Sequence, residues 1–247
     1  MKVQDTLHQQ KVLVVGGGSG MGKAIAHGMN ELGASVAIAG RREEKLSEVA
    51  REAKGSLPIL FKSTDITDRA SLATLFQWFD QEVGTLDILV HAAGINVAKR
   101  TMLELEEEDW DRLIEINLTG GYNCLRLAMV RMRPQAQGLV ILINSVAGKR
   151  SAPLAGIGYN ASKFGLSALG IGVGEEEREN GIRITNIYPG EVNTEILDQR
   201  THPPGPEHRA SILQPEDVAS VVINLAQLPE RAHVPELVIK PTRQSYI

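Results

Sequence analysis

Tyr159 and Lys163, in the run Tyr159-Asn160-Ala161-Ser162-Lys163, are of types and at a spacing that suit proton chemistry. On a helix, four residues put both side chains on one face, one turn apart. A free phenol, with a pKa of about 10, is a poor acid or base at neutral pH. A nearby ammonium favours the phenolate and lowers that value. Tyr159 tuned in this way gives a proton to a carbonyl oxygen or takes one from an alcohol. Ser145 closes the segment Ile143-Asn144-Ser145, fourteen residues before Tyr159. Its hydroxyl is suited to hydrogen-bond the same substrate oxygen. Y-x-x-x-K alone is a common pattern, and it gains weight only from the motifs around it.

The second constellation is Gly16-Gly17-Gly18-Ser19-Gly20-Met21-Gly22, between an apolar run and a helical pattern. Glycine lets the backbone approach a pyrophosphate with no Cβ in the way. The helix that follows offers free N–H groups and the positive end of its dipole to phosphate. The spacing is G-x-x-x-G-x-G (Gly16, Gly20, Gly22), not G-x-G-x-x-G. The next apolar run ends in Ala39-Gly40-Arg41-Arg42. An acidic residue near this point would bind ribose hydroxyls. Two arginines suit a 2′-phosphate instead, so NADP is the expected cofactor, with NAD the alternative.

These residues need a scaffold that brings strand ends together. Apolar runs at Val12–Val15, Ser35–Ala39, Leu57–Lys62, Ile88–His91, Leu139–Ile143, Ile182–Ile187 and Glu236–Lys240 read as strands. Several have no polar gap, as strands buried on both faces require. Helical patterns lie near 21–32, 42–54, 68–83, 107–117, 119–133, 157–180 and 215–228. The alternation predicts an α/β fold: a Rossmann-like, doubly wound parallel sheet of about seven strands with helices on both faces. One domain is expected over residues 1–247, with a substrate-loop insert at about 190–214 centred on His202-Pro203-Pro204-Gly205-Pro206.

Composition narrows the partners. Hydrophobic residues make up 43% of the chain, enough for a sizeable core. A net charge of −4 provides no basic field for nucleic acid. The polar start MKVQDTLHQQ and the lack of a long apolar run predict neither a signal peptide nor a membrane partner. One cysteine, Cys124, excludes an internal disulfide and reads as a core residue; a cytoplasmic setting is expected. The six histidines show no metal-ligand spacing, so no metal is expected. His202 reads as a solvated loop histidine, and the acidic runs Glu104–Asp109 and Glu175–Glu179 as solvated helix faces. Asn96, Arg150 and Glu191 fall near strand ends and are candidates for the substrate pocket.

Taken in order, these motifs resemble the short-chain dehydrogenases/reductases, from about Lys11 to about Val218. Val15–Gly22 is similar to that family's TGxxxGxG, with Val15 in place of the threonine. Asp65-Ile66 is similar to its adenine-binding pair, and His91-Ala92-Ala93-Gly94 stands where NNAG is common. Asn117, Ser145, Tyr159 and Lys163 match its catalytic set, with a Ser-to-Tyr spacing one residue longer than usual. Pro189-Gly190-Glu191-Val192-Asn193-Thr194 is similar to the segment that holds the nicotinamide carboxamide. The resemblance implies hydride transfer between a nicotinamide cofactor and a small carbonyl or alcohol substrate. It implies Tyr159 as general acid/base and Ser145 as the group that positions substrate. Lys163 would lower the tyrosine pKa and hold the ribose, and Asn117 would anchor a relay water. It also implies a homodimer or homotetramer built on the helices 107–133 and 157–180, where Gly165, Ala168, Gly170, Gly172 and Gly174 allow close packing. The competing expectation is a sensor or scaffold that binds a dinucleotide without turnover.

Overall fold

Strands that are apolar without a gap need cover on both faces. In the computed structural model, which describes residues 6–245, they receive it. The first five residues of the polar N-terminal stretch and the last two of the chain lie outside the described residues. The strands are β1 (Lys11–Val15), β2 (Ser35–Gly40), β3 (Leu60–Ser63), β4 (Ile88–His91), β5 (Gly138–Ile143), β6 (Ile182–Pro189) and β7 (Glu236–Ile239). They form one parallel sheet in the order β3-β2-β1-β4-β5-β6-β7. Successive residues of β1 feed opposite layers. Val12 and Val14 pack in the layer that contains α1 (Gly20–Glu31), α2 (Glu43–Arg51) and α8 (Pro215–Ala226). Leu13 and Val15 pack in the layer of α3 (Arg69–Glu82), α5 (Gly120–Met132) and α6 (Ile157–Glu177). Cys124 lies in that second layer, where burial pushes its thiol up to about 12.

The chain leaves β3 at one edge of the sheet and returns beside β1 as β4. The connections after β1 and β4 therefore diverge, leaving a crevice at the carboxyl ends of the strands, where open α/β sheets bind ligands.

Several elements differ from the sequence expectation. The third strand begins at Leu60 and not Leu57. Pro58 has no N–H to give a ladder, and the Leu57 carbonyl accepts from Asn30 Nδ2 (2.8 Å). The helices expected at 107–117 and 119–133 are continuous. A π turn at Glu115–Thr119 joins α4 (Glu107–Ile114) to α5. The 190–214 segment is largely ordered: it contains a 3-10 turn at Glu195–Gln199, the short α7 (Pro206–Ser211) and a bridge between Val192 and Leu213. The small residues of α6 divide between two uses. A Cβ on Gly165 would lie 2.8 Å from Leu118 Cδ2, and one on Gly170 2.3 Å from Asn186 Nδ2, so both pack within the subunit. Ala168 and Gly172 are on the outer face with Phe164 and Ile171.

Candidate active site

The glycine loop follows from β1 running straight into the crevice. Gly16 has φ +87°, a left-handed conformation, and a Cβ there would lie 2.6 Å from the Ala93 nitrogen. Glycine thus lets the loops after β1 and β4 touch. Next, α1 begins at an N-cap, Ser19, that makes no side-chain capping bond, and its first turn has no acidic residue. The exposed N–H end faces a cleft of about 390 Å³. Gly16, Gly18, Ser19, Gly20, Met21 and Gly22 line it from this loop. Arg41 and Arg42 line it after β2, Asp65 and Ile66 after β3, and Ala92, Ala93 and Gly94 after β4. Tyr159, Lys163 and Thr194 complete it. Bare backbone and a helix N-terminus beside two arginines fit a phosphorylated dinucleotide.

The two arginines are not equivalent. Arg42 Nη2 donates to Glu195 Oε2 (2.9 Å) and to Ser19 Oγ (3.2 Å), clasping the insert across the cleft mouth rather than pairing with Glu43 or Glu44. Arg41 is exposed and forms no ion pair among the described residues. Burial works against the Asp65 carboxylate. The bonds from Thr67 N (2.9 Å) and Thr67 Oγ1 (2.8 Å), with the charge of Arg41, outweigh it and hold the pKa below its ordinary value.

At the inner end of the cleft, α6 presents Tyr159 and Lys163 one turn apart. The Lys163 ammonium is buried, donates to the Ile143 carbonyl (3.2 Å) and lies 5.7 Å from the Tyr159 ring centre. Burial lowers it to about 8. The Ser145 hydroxyl accepts from Ala147 N (3.1 Å), and Ser145 lines an adjoining cleft together with Tyr159. The expected lowering of the Tyr159 pKa by Lys163 is not found. Burial is the largest influence and raises it, while Ser145 and Arg100 pull in the other direction. Asn117 lines neither cleft and sits fully buried in the π turn. Its Oδ1 accepts from Ile95 N (2.8 Å), and its Nδ2 donates to Ile95 O (3.0 Å) and Ser162 Oγ (3.1 Å). Asn117 Oδ1 and Lys163 Nζ both lie within 3.5 Å of where a Cβ on Gly94 would stand. Glycine there keeps an acceptor and an ammonium facing one small space.

His91, at the carboxyl end of β4, is wholly buried, and neither ring nitrogen has a hydrogen-bond partner among the described residues. Burial, with the nearby Lys163 charge, lowers its pKa to about 3 from the ordinary 6.5. Between those values the unfolded chain holds a proton that the folded chain does not. Stability from this group is therefore present above pH 6.5 and is lost as pH falls towards 3. The slope is about 1.4 kcal/mol per pH unit. Denaturant titrations at several pH values from about 6 down to about 5 check this, because His91→Asn should flatten the stability slope by that amount. An unchanged slope would contradict the assignment.

A second cleft of about 260 Å³ adjoins the first, and the two share Met21, Asn144, Tyr159, Thr194 and Ile196. Ser145, Pro189, Gly190 and Val192 line this one, as do Asn96, Arg150 and Glu191. His202 lines neither cleft. His208 of the insert also lines neither cleft, but its Nε2 is 2.8 Å from Oε2 of Glu191, which lines the second. Arg100 and Arg200 also line the second cleft and were not expected from the sequence. The position of Arg100 shortly after β4 was the only signal available.

Comparisons with known proteins agree with this geometry. The family model for short chain dehydrogenase matches residues 10–204. An uncharacterized oxidoreductase of Staphylococcus aureus is 32% identical over 238 residues, 96% of this chain and 99% of that protein. A glycine betaine reductase of Emericella nidulans is 32% identical over 235 residues; they cover 93% of this chain but only 18% of that much longer protein. Among solved structures, the closed form of a serine dehydrogenase complexed with NADP+ superimposes with TM-score 0.87 at 27% identity, over 96% of this chain and 97% of that one. An alcohol dehydrogenase from the archaeon Thermococcus sibiricus, complexed with 5-hydroxy-NADP, gives 0.86 at 25% identity, over 96% and 98%.

Proposed function

Since the chain belongs to the short-chain dehydrogenase/reductase family and is thus an oxidoreductase enzyme, we propose that it uses NADP to interconvert a small alcohol and its carbonyl compound, with Tyr159 as general acid/base. The observation that carries this is that Ser145 and Tyr159 line the second cleft together, where it adjoins the dinucleotide cleft. One oxygen of a substrate can reach both hydroxyls there.

When bound, the dinucleotide supplies or accepts the hydride. The residues of the chain do the rest. The glycine loop and the N-terminus of α1 hold the pyrophosphate, and Arg41 and Arg42 hold the 2′-phosphate. Asp65 and Ile66 border the adenine, and Pro189, Gly190, Val192 and Thr194 border the nicotinamide. Ala92, Ala93 and Gly94 form the wall behind it. Ser145 fixes the substrate oxygen, and Tyr159 exchanges a proton with it. A raised tyrosine pKa keeps Tyr159 protonated, the form needed to protonate a carbonyl during reduction. Lys163 holds the ribose, and the space it shares with Asn117 suits a water that relays the proton. The 190–214 insert, clasped to Arg42 through Glu195, acts as the lid.

The outer faces of α5 and α6 expose Tyr122, Val130, Phe164 and Ile171. This apolar surface supports a homodimer or homotetramer; a monomer in sedimentation at micromolar concentration would contradict it. No helix among the described residues is long and apolar enough to cross a membrane.

The test of the activity is a panel of aldehydes and ketones with NADPH or NADH, followed by absorbance of the reduced nicotinamide. Carbonyl-dependent loss of NADPH is expected. Inertness across the panel despite tight NADPH binding would favour a sensor.

A further inference from the structure

The second cleft carries three arginines, Arg100, Arg150 and Arg200, against one carboxylate, Glu191. That carboxylate is already engaged: Glu191 Oε1 lies 2.6 Å from Arg200 Nη1, and Oε2 lies 2.8 Å from His208 Nε2. Arg100 is half-buried, and its partners are all carbonyls. Nε donates to Val97 O, Nη1 to Leu154 O (3.0 Å) and Nη2 to Gln199 O (3.4 Å). A guanidinium has five N–H donors, so two remain after these bonds. No carboxylate lies within ion-pair distance of Arg100 among the described residues. Its positive charge is felt at Tyr159, whose pKa it lowers, and Arg200 stands near enough to disfavour that charge. Glu191 pairs with Arg200 and leaves the half-buried Arg100 guanidinium without an anion among the described residues, an arrangement that a bound carboxylate would relieve.

We propose that the substrate is a short hydroxy acid or oxo acid whose carboxylate is bound by Arg100, assisted by Arg200, while its alcohol or carbonyl oxygen lies at Ser145 and Tyr159. This rests on the dehydrogenase reading and deepens it. The remaining walls are small or aliphatic, with Ala147, Leu154, Ile196 and Leu197 among them. They suit a short carbon chain between the two polar ends. In the oxidative direction the carbinol C–H pair leaves as hydride to the oxidised nicotinamide. The hydroxyl proton passes to Tyr159 in its phenolate form, reached once Tyr159 has released its own proton to the relay water. The products are the oxo acid and the reduced dinucleotide.

The experiment compares short hydroxy acids, with the hydroxyl at carbon two, three or four, against their methyl esters. For at least one of them, wild-type kcat/KM should favour the acid at least tenfold. Arg100→Gln should reduce that preference at least tenfold, while Arg100→Lys, which keeps a charge, should retain part of it. The acid-to-ester ratio cancels any effect of Arg100 on the Tyr159 pKa. Calorimetry on the wild-type protein with bound dinucleotide provides a readout that needs neither turnover nor a variant: butyrate should bind at least tenfold more tightly than butyramide. Equal binding of the two, tighter binding of inorganic phosphate, or a preference untouched by Arg100→Gln would overturn the proposal. If no alcohol or ketone is turned over but butyrate binds as stated, the dehydrogenase reading fails and the carboxylate site stands.

Discussion

Tyr159→Phe should lower kcat by about 10²–10⁴, the usual worth of general acid–base catalysis, and leave the fold intact. The substitution removes one hydroxyl and keeps a ring that packs at the head of α6. The lost group is the one that shares the second cleft with Ser145 where the clefts meet. Dinucleotide affinity should change little. Lys163→Ala should differ in kind: Lys163 is buried, donates to Ile143 O and lines the dinucleotide cleft. It should lose turnover and, in addition, dinucleotide affinity. Steady-state rates together with direct titration of NADPH separate the two variants. Near-full turnover by Tyr159→Phe would show that another group moves the proton.

Arg41→Asp should weaken NADPH binding at least tenfold and spare or improve NADH. A charge-assisted hydrogen bond to phosphate contributes roughly 1.5–3 kcal/mol, and the substitution also puts a repelling carboxylate there. Arg41 gives a cleaner test than Arg42, because Arg42 is tied to Glu195 and Ser19 and its loss would free the lid as well. Fluorescence titration of both reduced dinucleotides reads the change. Equal binding of NADPH and NADH by the unmodified protein would remove the arginines from the 2′-phosphate site.

What the sequence made legible was whatever is local along the chain. β1 and β4 are unbroken apolar runs, and burial on both faces follows directly from them. The glycine loop, the Tyr159–Lys163 pair and the Pro189–Thr194 segment are each written within a few consecutive residues. Features set by contacts between distant segments were hidden. Leu57 looks like strand, but its carbonyl is taken by Asn30. A π turn keeps the helical apolar pattern while shifting its phase, so the sequence pattern divides at 118 into two helices. The clasp of Arg42 on Glu195 spans 153 residues. Arg100 and Arg200 meet through tertiary structure alone. Spacing reports the ammonium nearest Tyr159 but not the burial that raises its pKa. Gly165 and Gly170 pack against Leu118 and Asn186, but a glycine leaves no sign in the sequence of which neighbour it accommodates.

The central claim is that this chain catalyses hydride transfer between a nicotinamide and a substrate carbon while Tyr159 handles the proton. Its most direct test is a single turnover with NADPH carrying deuterium at the transferable position of the nicotinamide, with the product examined by mass spectrometry. The wild-type protein should deliver one deuterium to the carbinol carbon of the alcohol formed, and Tyr159→Phe should deliver it far more slowly. Alcohol product without deuterium at that carbon, or labelled dinucleotide recovered unchanged with every carbonyl offered, would contradict the claim.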